Sequence, residues 1–465
     1  MTQTTEPTDG LTAGPAGAAP TAPNALDATA VAAAVRAGTL TVREVAEAVL
    51  ARYAARDGDV RAWAHLDPAQ VLAAADTLDA APVKGPLHGV PVGVKDVIAT
   101  KDMPTEHATA RYAGSRPGVD AACVDVLRAA GALLVGKTTT TEFAATSVGG
   151  PTRNPHDPGR TPGGSSSGSG AAVADLQCAV ALGTQTGGST IRPGSFNGVY
   201  AWKPTWNSIS REGLKMYSAT CDTVGLYARS ARDLELLAGL FRIEPAPAPA
   251  TLAGARVGVC RTPEWRSAGP ATRDALAAAA DALRDAGAEV VDLALPDWFD
   301  GLYPAHRAIL RREGRSAFLN EYLTTPDLPP FFRDVVEGRA GVDMNGRPAP
   351  DLTVDDYRAA YALADRARAA FDEIAAGFDV VLTPSTTGEA PEGLESTGSS
   401  VFNSMWTLLQ VPVVNVPGLV GPAGMPVGVS LVARRYDDRR AIGFAGLLGE
   451  RLAAAAGERA AAVPA

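Results

Sequence analysis

The 465-residue chain is short of cysteine, histidine and lysine, with four, five and six of each, and only 6% of it is aromatic. Each shortage excludes something. Cys123, Cys178, Cys221 and Cys260 sit in apolar stretches and form no C-x-x-C pair, so they read as buried, reduced thiols. His65, His88, His107, His156 and His306 never approach one another at ligand spacing, which leaves no metal site and no implied cofactor. The basic residues form no run, and the net charge is −9. Phosphate backbones and anionic lipids attract clustered cations, so neither nucleic acid nor a membrane is expected as a partner. No apolar run reaches the roughly 18 residues of a membrane span. The first basic residue is Arg36, so the charged start of a secretory signal is missing and a cytoplasmic location is expected.

What is present is a globular composition, 46% hydrophobic and 20% charged, with ample length for a core. Residues 1–25, rich in Ala, Pro, Thr and Gly, read as a disordered tail, and 26–460 as one domain. Helices are expected at 27–37 and 42–56, the second opened by Thr41 and Glu44 at capping-box spacing. Strands at 90–98, 132–137 and 178–185 alternate with helices near 120–130 and after residue 170. The stretch 201–213 reads as loop and turn, a helix follows near 231–241, and the Pro/Ala segment 244–254 is the best internal linker. Beyond it come strand 255–260, helix 270–286, strand 289–295, helix 353–376, strand 379–384, the runs VPVVNVP and PVGVSLVA, and a helix near 438–455. This order predicts an α/β fold with a mixed, mostly parallel central sheet and helices on both faces. The linker would separate lobes of one domain, because the strands beside it are too apolar to stand alone.

Several familiar motifs fail in context. Gly164-Ser165-Ser166-Ser167-Gly168 matches the G-x-S-x-G elbow, but NPHDPGRTP before it cannot be a strand. The only downstream histidine, His306, has an unremarkable place on a helix. No G-x-x-x-x-G-K-[ST] exists, and no strand–G-x-G-x-x-G–helix unit is present.

Three features remain. Lys95 interrupts an apolar strand; burial would lower its pKa and make it a base, while the bland alternative is a snorkelling lysine paired with Asp96. Gly163-Gly164-Ser165-Ser166 is either a flexible linker or a shaped loop presenting hydroxyls, its glycines permitting positive φ. Thr186-Gly187-Gly188-Ser189 follows a buried strand. It is either an ordinary strand–turn–helix join or a nest of N–H groups suited to an oxyanion, with a serine hydroxyl at its end.

GPLHGVPVGVKD (85–96), RTPGGSSSGSGAAVA (160–174) and GTQTGGSTIRPGSFNGVYAWKPT (183–205) together resemble the amidase signature family. GKTTTTEFA, RNPHDP, CDTVG and the C-terminal PVVNVPG…GMPVGVSLVA resemble it too, so the likeness spans about residues 27 to 455. A signature core of about 85–230 and a variable, substrate-side region of about 244–350 would make up the domain. The resemblance implies a Ser–cis-Ser–Lys triad: Lys95 as the buried lysine, Ser165 as the cis-serine and Ser189 as the nucleophile. It further implies an oxyanion hole from the N–H groups of Thr186, Gly187, Gly188 and Ser189. Pocket walls are expected from Thr141, Glu142, Phe143 and Ala144, from 102–108, and from 300–350 and 395–410. Trp298, Phe299, Phe331, Phe332 and Trp406 are candidates for an apolar pocket, with aromatic core as the simpler reading of each. His88 is expected to be structural.

Two departures from the pattern stand out. The common G-T-D-T-G-G-S has Gln185 in place of its carboxylate, and the arginine of S-I-R-x-P is moved one place, to Arg192. Ser167 also replaces a glycine. The function implied is hydrolysis of a small carboxamide through an acyl-enzyme, with ester cleavage compatible. The alternatives are the glutaminase-type A subunit of a tRNA-dependent amidotransferase, which needs protein partners, and a non-catalytic binding homologue. Family members often form homodimers, and nothing in the sequence decides that here.

Overall fold

The computed structural model describes residues 22–247, 249–339 and 351–462, with side chains to 455. It is a single α/β domain built on one sheet of eleven strands. The strands are β1 (Trp63–His65), β2 (Pro91–Lys95), β3 (Leu133–Thr138), β4 (Val180–Gln185), β5 (Tyr200–Lys203), β6 (Thr223–Ala228), β7 (Arg256–Val259), β8 (Glu289–Asp292), β9 (Val380–Pro384), β10 (Val413–Val420) and β11 (Pro426–Val432). Their order is β1-β3-β2-β4-β6-β5-β10-β11-β9-β7-β8. The sheet is mixed. Its parallel pairings lie in two blocks, β3-β2-β4 and β9-β7-β8, and antiparallel ladders join them.

The alternation of side chains along the strands explains the layers. Val380 and Leu382 enter one apolar cluster while Val381 enters another. Val414 and Leu431 likewise divide from Val413 and Val432. A pleated strand sends neighbours to opposite faces, so both faces are apolar and both need a helical cover. Helices Ala28–Ala37, Val42–Val60, Pro270–Asp285 and Asp438–Ala462 supply one, and Leu302–Ala317, Val354–Ala375 and Val401–Leu408 the other.

Local signals are realised with small shifts. Thr41 and Glu44 form the capping box, with the Thr41 N–H donating to Glu44 Oε2 at 2.8 Å. Residues 1–21 of the expected tail lie outside the described residues. Pro23–Ala25 is a 3₁₀ turn, tied down by Asn24 Nδ2 donating to the Leu176 carbonyl at 3.3 Å. The reading of 201–213 as loop and turn is wrong at its start, because Tyr200–Lys203 is strand β5, paired with β6 and β10. Pro204 and the turn residues after it masked a four-residue strand that tertiary pairing supports. The following strand, β6, carried no expectation. One sheet runs through both sides of the 244–254 segment, since β9, β7 and β8 continue from β11.

All four cysteines are buried and unpaired. Phe299, Phe332 and Trp406 are core residues, while Trp298 and Phe331 pack against that core partly exposed. Among the described residues no helix is long and apolar enough to cross a membrane, and no group of three or more His, Cys, Asp or Glu could hold a metal ion.

Asp438 ties the last helix to the sheet. It is fully buried and accepts from the Thr205 N–H at 2.7 Å, the Thr205 hydroxyl at 2.5 Å and Trp202 Nε1 at 3.2 Å. Asp438→Ala leaves three buried donors without an acceptor, so it should lower the unfolding free energy by about 3 kcal/mol in a denaturant titration.

Candidate active site

The site lies where β2, β3 and β4 end together. Parallel strands place their carboxyl ends along one edge, the usual seat of a site in such sheets. Lys95 is the last residue of β2 and Gln185 the last of β4. The serine-rich loop crosses between them and enters helix Ser167–Ala174. Its hydroxyls have separate tasks. Ser166 Oγ donates to the Thr184 carbonyl at 3.1 Å and accepts from the Thr184 N–H at 3.2 Å. Ser169 Oγ donates to the Leu182 carbonyl at 2.8 Å. The loop is therefore stitched to β4 and is no linker. Gly163 takes φ +81°, a conformation that strains residues with a Cβ. Ser167, in place of the usual glycine, simply begins the helix.

That stitching leaves Ser165 facing Lys95. The lysine is wholly buried, and its Nζ donates to Ser165 Oγ and to Thr184 Oγ1, each at 2.7 Å. The peptide bond Gly164–Ser165 is cis, as the resemblance implies. Asp96 is not the partner of Lys95. It pairs with Lys137, whose Nζ stands 3.4 Å from Asp96 Oδ1. Lys95 therefore has no carboxylate at ion-pair distance among the described residues. Burial holds its pKa well below the ordinary lysine value, opposed by the charge of Asp222 and reinforced by that of Arg192.

Ser189 stands at the end of the glycine turn. It is 8% exposed, against 2% for Ser165 and 0% for Lys95, so access from outside reaches it first. Its carbonyl accepts from the Tyr227 hydroxyl at 3.1 Å and the Ser166 N–H at 3.4 Å. Lys95 and Ser165 are thus in direct contact, whereas the Ser189 hydroxyl makes no hydrogen bond among the described residues. The N–H groups of Thr186, Gly187, Gly188 and Ser189 also meet no acceptor there. A Cβ on Gly188 would sit 3.0 Å from Ser400 Cβ and Asn403 Nδ2, so one of these side chains would have to give way.

The two departures become legible here. Gln185 Oε1 accepts from the N–H groups of Thr190 and Ile191, at 2.9 and 3.0 Å, at the start of helix Ile191–Asn197. Its amide nitrogen donates to Thr407 Oγ1 at 3.0 Å. A neutral amide does here what a carboxylate could do only in part, because it also supplies a donor. Arg192 is buried without a carboxylate. Its Nε and Nη2 both donate to the Gly164 carbonyl, at 3.2 and 2.6 Å, and Nη1 donates to the Gly398 carbonyl at 2.6 Å. Burial lowers its pKa to about 10, leaving it charged at neutral pH. The shifted arginine thus holds the residue that precedes Ser165.

Thr141 lies beside the cluster, its N–H donating to the Ser165 carbonyl at 3.3 Å. Glu142 is half-buried, with its carboxyl pKa raised by burial. Phe143 and Ala144 take φ of 50° and 56°, uncommon for residues with side chains. Phe143 packs among His107, Tyr112, Phe318 and Phe332.

Reading the sequence missed four contributors. Thr184 binds Lys95, and Asp222 accepts from Thr186 Oγ1 at 2.6 Å. Thr407 donates to the Gly187 carbonyl at 2.7 Å. His306, taken as unremarkable, is buried with Nε2 2.8 Å from the Thr186 carbonyl oxygen. Thr184 could have been found, since it shares with Lys95 the ends of adjacent strands. Asp222 lies in the CDTVG segment of the resemblance, whereas His306 and Thr407 come from distant segments and carried no motif.

The fold and the cluster can be set beside known proteins. The family model described as Amidase matches residues 44–442, so the chain belongs to the amidase signature family. It is 33% identical over 457 residues to the A subunit of the glutamyl-tRNA(Gln) amidotransferase of Chloroflexus aurantiacus, covering 89% of this chain and 94% of that one. Among solved structures it resembles an amidase at TM-score 0.81 and 29% identity, covering 92% of this chain and 100% of the other. It also resembles the peptide amidase PAM, solved with the competitive inhibitor chymostatin, at TM-score 0.76 and 30% identity, covering 92% and 97%.

Burial of Lys95 and Arg192 sets two expectations for stability. Below lysine's ordinary 10.5 the unfolded chain takes up a proton at Lys95 that the folded chain resists, so stability falls as pH drops from 10.5 toward the lowered folded value. Lys95→Met should therefore melt above wild type at pH 7, and the gain should shrink toward pH 10. Arg192→Lys cannot reproduce the forked contact, and should lose about 2 kcal/mol in a denaturant titration.

Proposed function

We propose that the protein hydrolyses a small carboxamide through a Ser189 acyl-enzyme. The observation that carries this reading is the buried, carboxylate-free Lys95 with its Nζ 2.7 Å from Ser165 Oγ. A lysine that is neutral at working pH accepts the Ser165 proton while Ser165 accepts that of Ser189. The Ser189 oxygen then bonds to the amide carbon, and the carbonyl electrons move to oxygen. The N–H groups of residues 186–189 are the donors for that oxyanion. When the C–N bond breaks, the proton held at Lys95 returns through Ser165 to the departing nitrogen. Water then gives a proton to the same relay as it attacks the acyl carbon, the ester C–O bond breaks, and the relay returns that proton to Ser189 Oγ as the acid departs. The link from Ser165 to Ser189 is the one that bound substrate has to close, as is common in unliganded sites. Thr141, Glu142, Phe143 and Ala144 would form a wall beside the reacting group.

A second reading has its own support. The curated relatives, including that of Chloroflexus aurantiacus, are named as the A subunit of a glutamyl-tRNA(Gln) amidotransferase. On that reading the carboxamide is the side chain of glutamine, and the ammonia passes to a partner protein. The chemistry at Ser189 is the same in both cases. What differs is whether the chain works alone.

A fluorophosphonate should add once to the purified protein, as read by intact mass. Ser189→Ala should take up none, and Lys95→Ala should react at least about 100-fold more slowly. Turnover should then be assayed as ammonia release from simple primary amides and from glutamine, and as aniline or alcohol release from anilides and esters beside them. Turnover of simple amides by the chain alone supports the free-standing amidase. An active serine that releases ammonia from none of them supports the amidotransferase reading, and an unlabelled wild type overturns both.

A further inference from the structure

We propose that His306 and Thr407 are positioning residues that aim the backbone N–H groups of the 186–189 turn at the oxyanion. The proposal rests on the acyl-enzyme reading above and deepens it. Both residues lie outside the signature core, His306 on helix Leu302–Ala317 and Thr407 on helix Val401–Leu408.

The geometry is simple. His306 Nε2 is 2.8 Å from the Thr186 carbonyl oxygen, and a carbonyl only accepts, so Nε2 carries the proton. Thr407 Oγ1 donates to the next carbonyl, that of Gly187, at 2.7 Å. A trans peptide is planar, with its C=O and N–H directed oppositely. Pinning the Thr186 carbonyl therefore turns the Gly187 N–H away from His306. Pinning the Gly187 carbonyl turns the Gly188 N–H away from Thr407 in the same manner. Neither N–H meets an acceptor among the described residues. Glycine would otherwise let these two peptides rotate more freely than any other residue.

The anchors are themselves held. Thr407 Oγ1 accepts from Gln185 Nε2 at 3.0 Å, and its one hydrogen has the Gly187 carbonyl at 2.7 Å as a nearer acceptor than the Asn403 carbonyl at 3.1 Å. His306 is 1% exposed, and burial lowers its pKa to about 4, so the ring is neutral at pH 7. Its Nδ1 is buried with no hydrogen-bond partner among the described residues. That makes the bond to Thr186 the one polar contact the ring has there, and the imidazole is worth burying only if that contact matters.

A role in packing alone predicts lost stability without a change in chemistry, so the test separates the two. The full-length protein would be compared with His306→Phe, His306→Gln and Thr407→Val. The glutamine amide can put an N–H where imidazole Nε2 stands, and valine matches threonine in shape. Readouts are the rate of fluorophosphonate labelling, kcat and KM on an amide that wild type hydrolyses, and thermal midpoint. Affinity is also measured for an alkylboronic acid, which forms a tetrahedral adduct, and for the corresponding carboxylate product. Removing an oxyanion donor outright costs about 100- to 1,000-fold in kcat, so misaiming one should cost about 10- to 100-fold. His306→Phe and Thr407→Val should show that loss in labelling, kcat and boronate affinity, with KM and carboxylate affinity changed by less than about threefold. His306→Gln should regain most of the rate.

Wild-type rates in folded His306→Phe and Thr407→Val would overturn the proposal. So would equal losses of boronate and carboxylate affinity. If His306→Phe fails to fold, the Thr407→Val and His306→Gln results decide by the same criteria. A wild type that takes up no fluorophosphonate overturns the acyl-enzyme reading and this proposal with it. Labelled wild type with unaffected variants overturns this proposal alone.

Discussion

The site depends on an amine buried without a counter-charge. Lys95 ends an apolar strand, is fully enclosed, and is held at 2.7 Å by two hydroxyls in place of a carboxylate. Desolvation alone would make that position costly for a charged lysine, so the neutral form is favoured. The nearest carboxylate in sequence, Asp96, is occupied by Lys137. Had it turned to Lys95, an ion pair would have kept the amine protonated and useless as a base. Two lysines on neighbouring parallel strands thus divide one environment: Lys137 takes the carboxylate, and Lys95 takes the serine.

The surrounding polar network follows from that constraint. A buried amine stays neutral more readily when its hydroxyl partner is fixed without adding negative charge nearby. The serine loop does this with Ser166 and Ser169, whose hydroxyls bond to the backbone of β4. Gln185, an uncharged amide where the family pattern has a carboxylate, ties the start of helix Ile191–Asn197 to Thr407. Arg192 binds two carbonyls, and its charge adds to the lowering of the Lys95 pKa. Asp222 is the opposing charge, and it is engaged by Thr186 and by the N–H groups of Tyr217 and Ser218.

The parts outside the signature core are wired into it by similar means. Glu313, on the same helix as His306, accepts from Ser218 at 2.5 Å, Thr220 at 2.5 Å and Tyr361 at 2.8 Å. That helix therefore cannot shift without disturbing the segment that also holds Asp222. Helix Leu302–Ala317 is in this way mechanically joined to the glycine turn beside Ser189.

The sequence by itself determined the elements whose signals are local. The capping box at Thr41, the apolar strand ending in Lys95, the serine loop and the glycine turn could all be read from neighbouring residues. Family likeness then supplied roles that spacing could not. Strand β5, four residues long and followed by Pro204, was misread, and β6 went unassigned, because both take their conformation from pairing with strands elsewhere in the sheet. The pairing of Asp96 with Lys137, the grip of Arg192 on Gly164, and the arrival of His306 and Thr407 at the glycine turn were decided only by the tertiary structure. Each joins residues tens to hundreds of positions apart. A hydrogen bond across such a distance leaves no periodicity or spacing to read, and exists only once the sheet has brought its strand ends together.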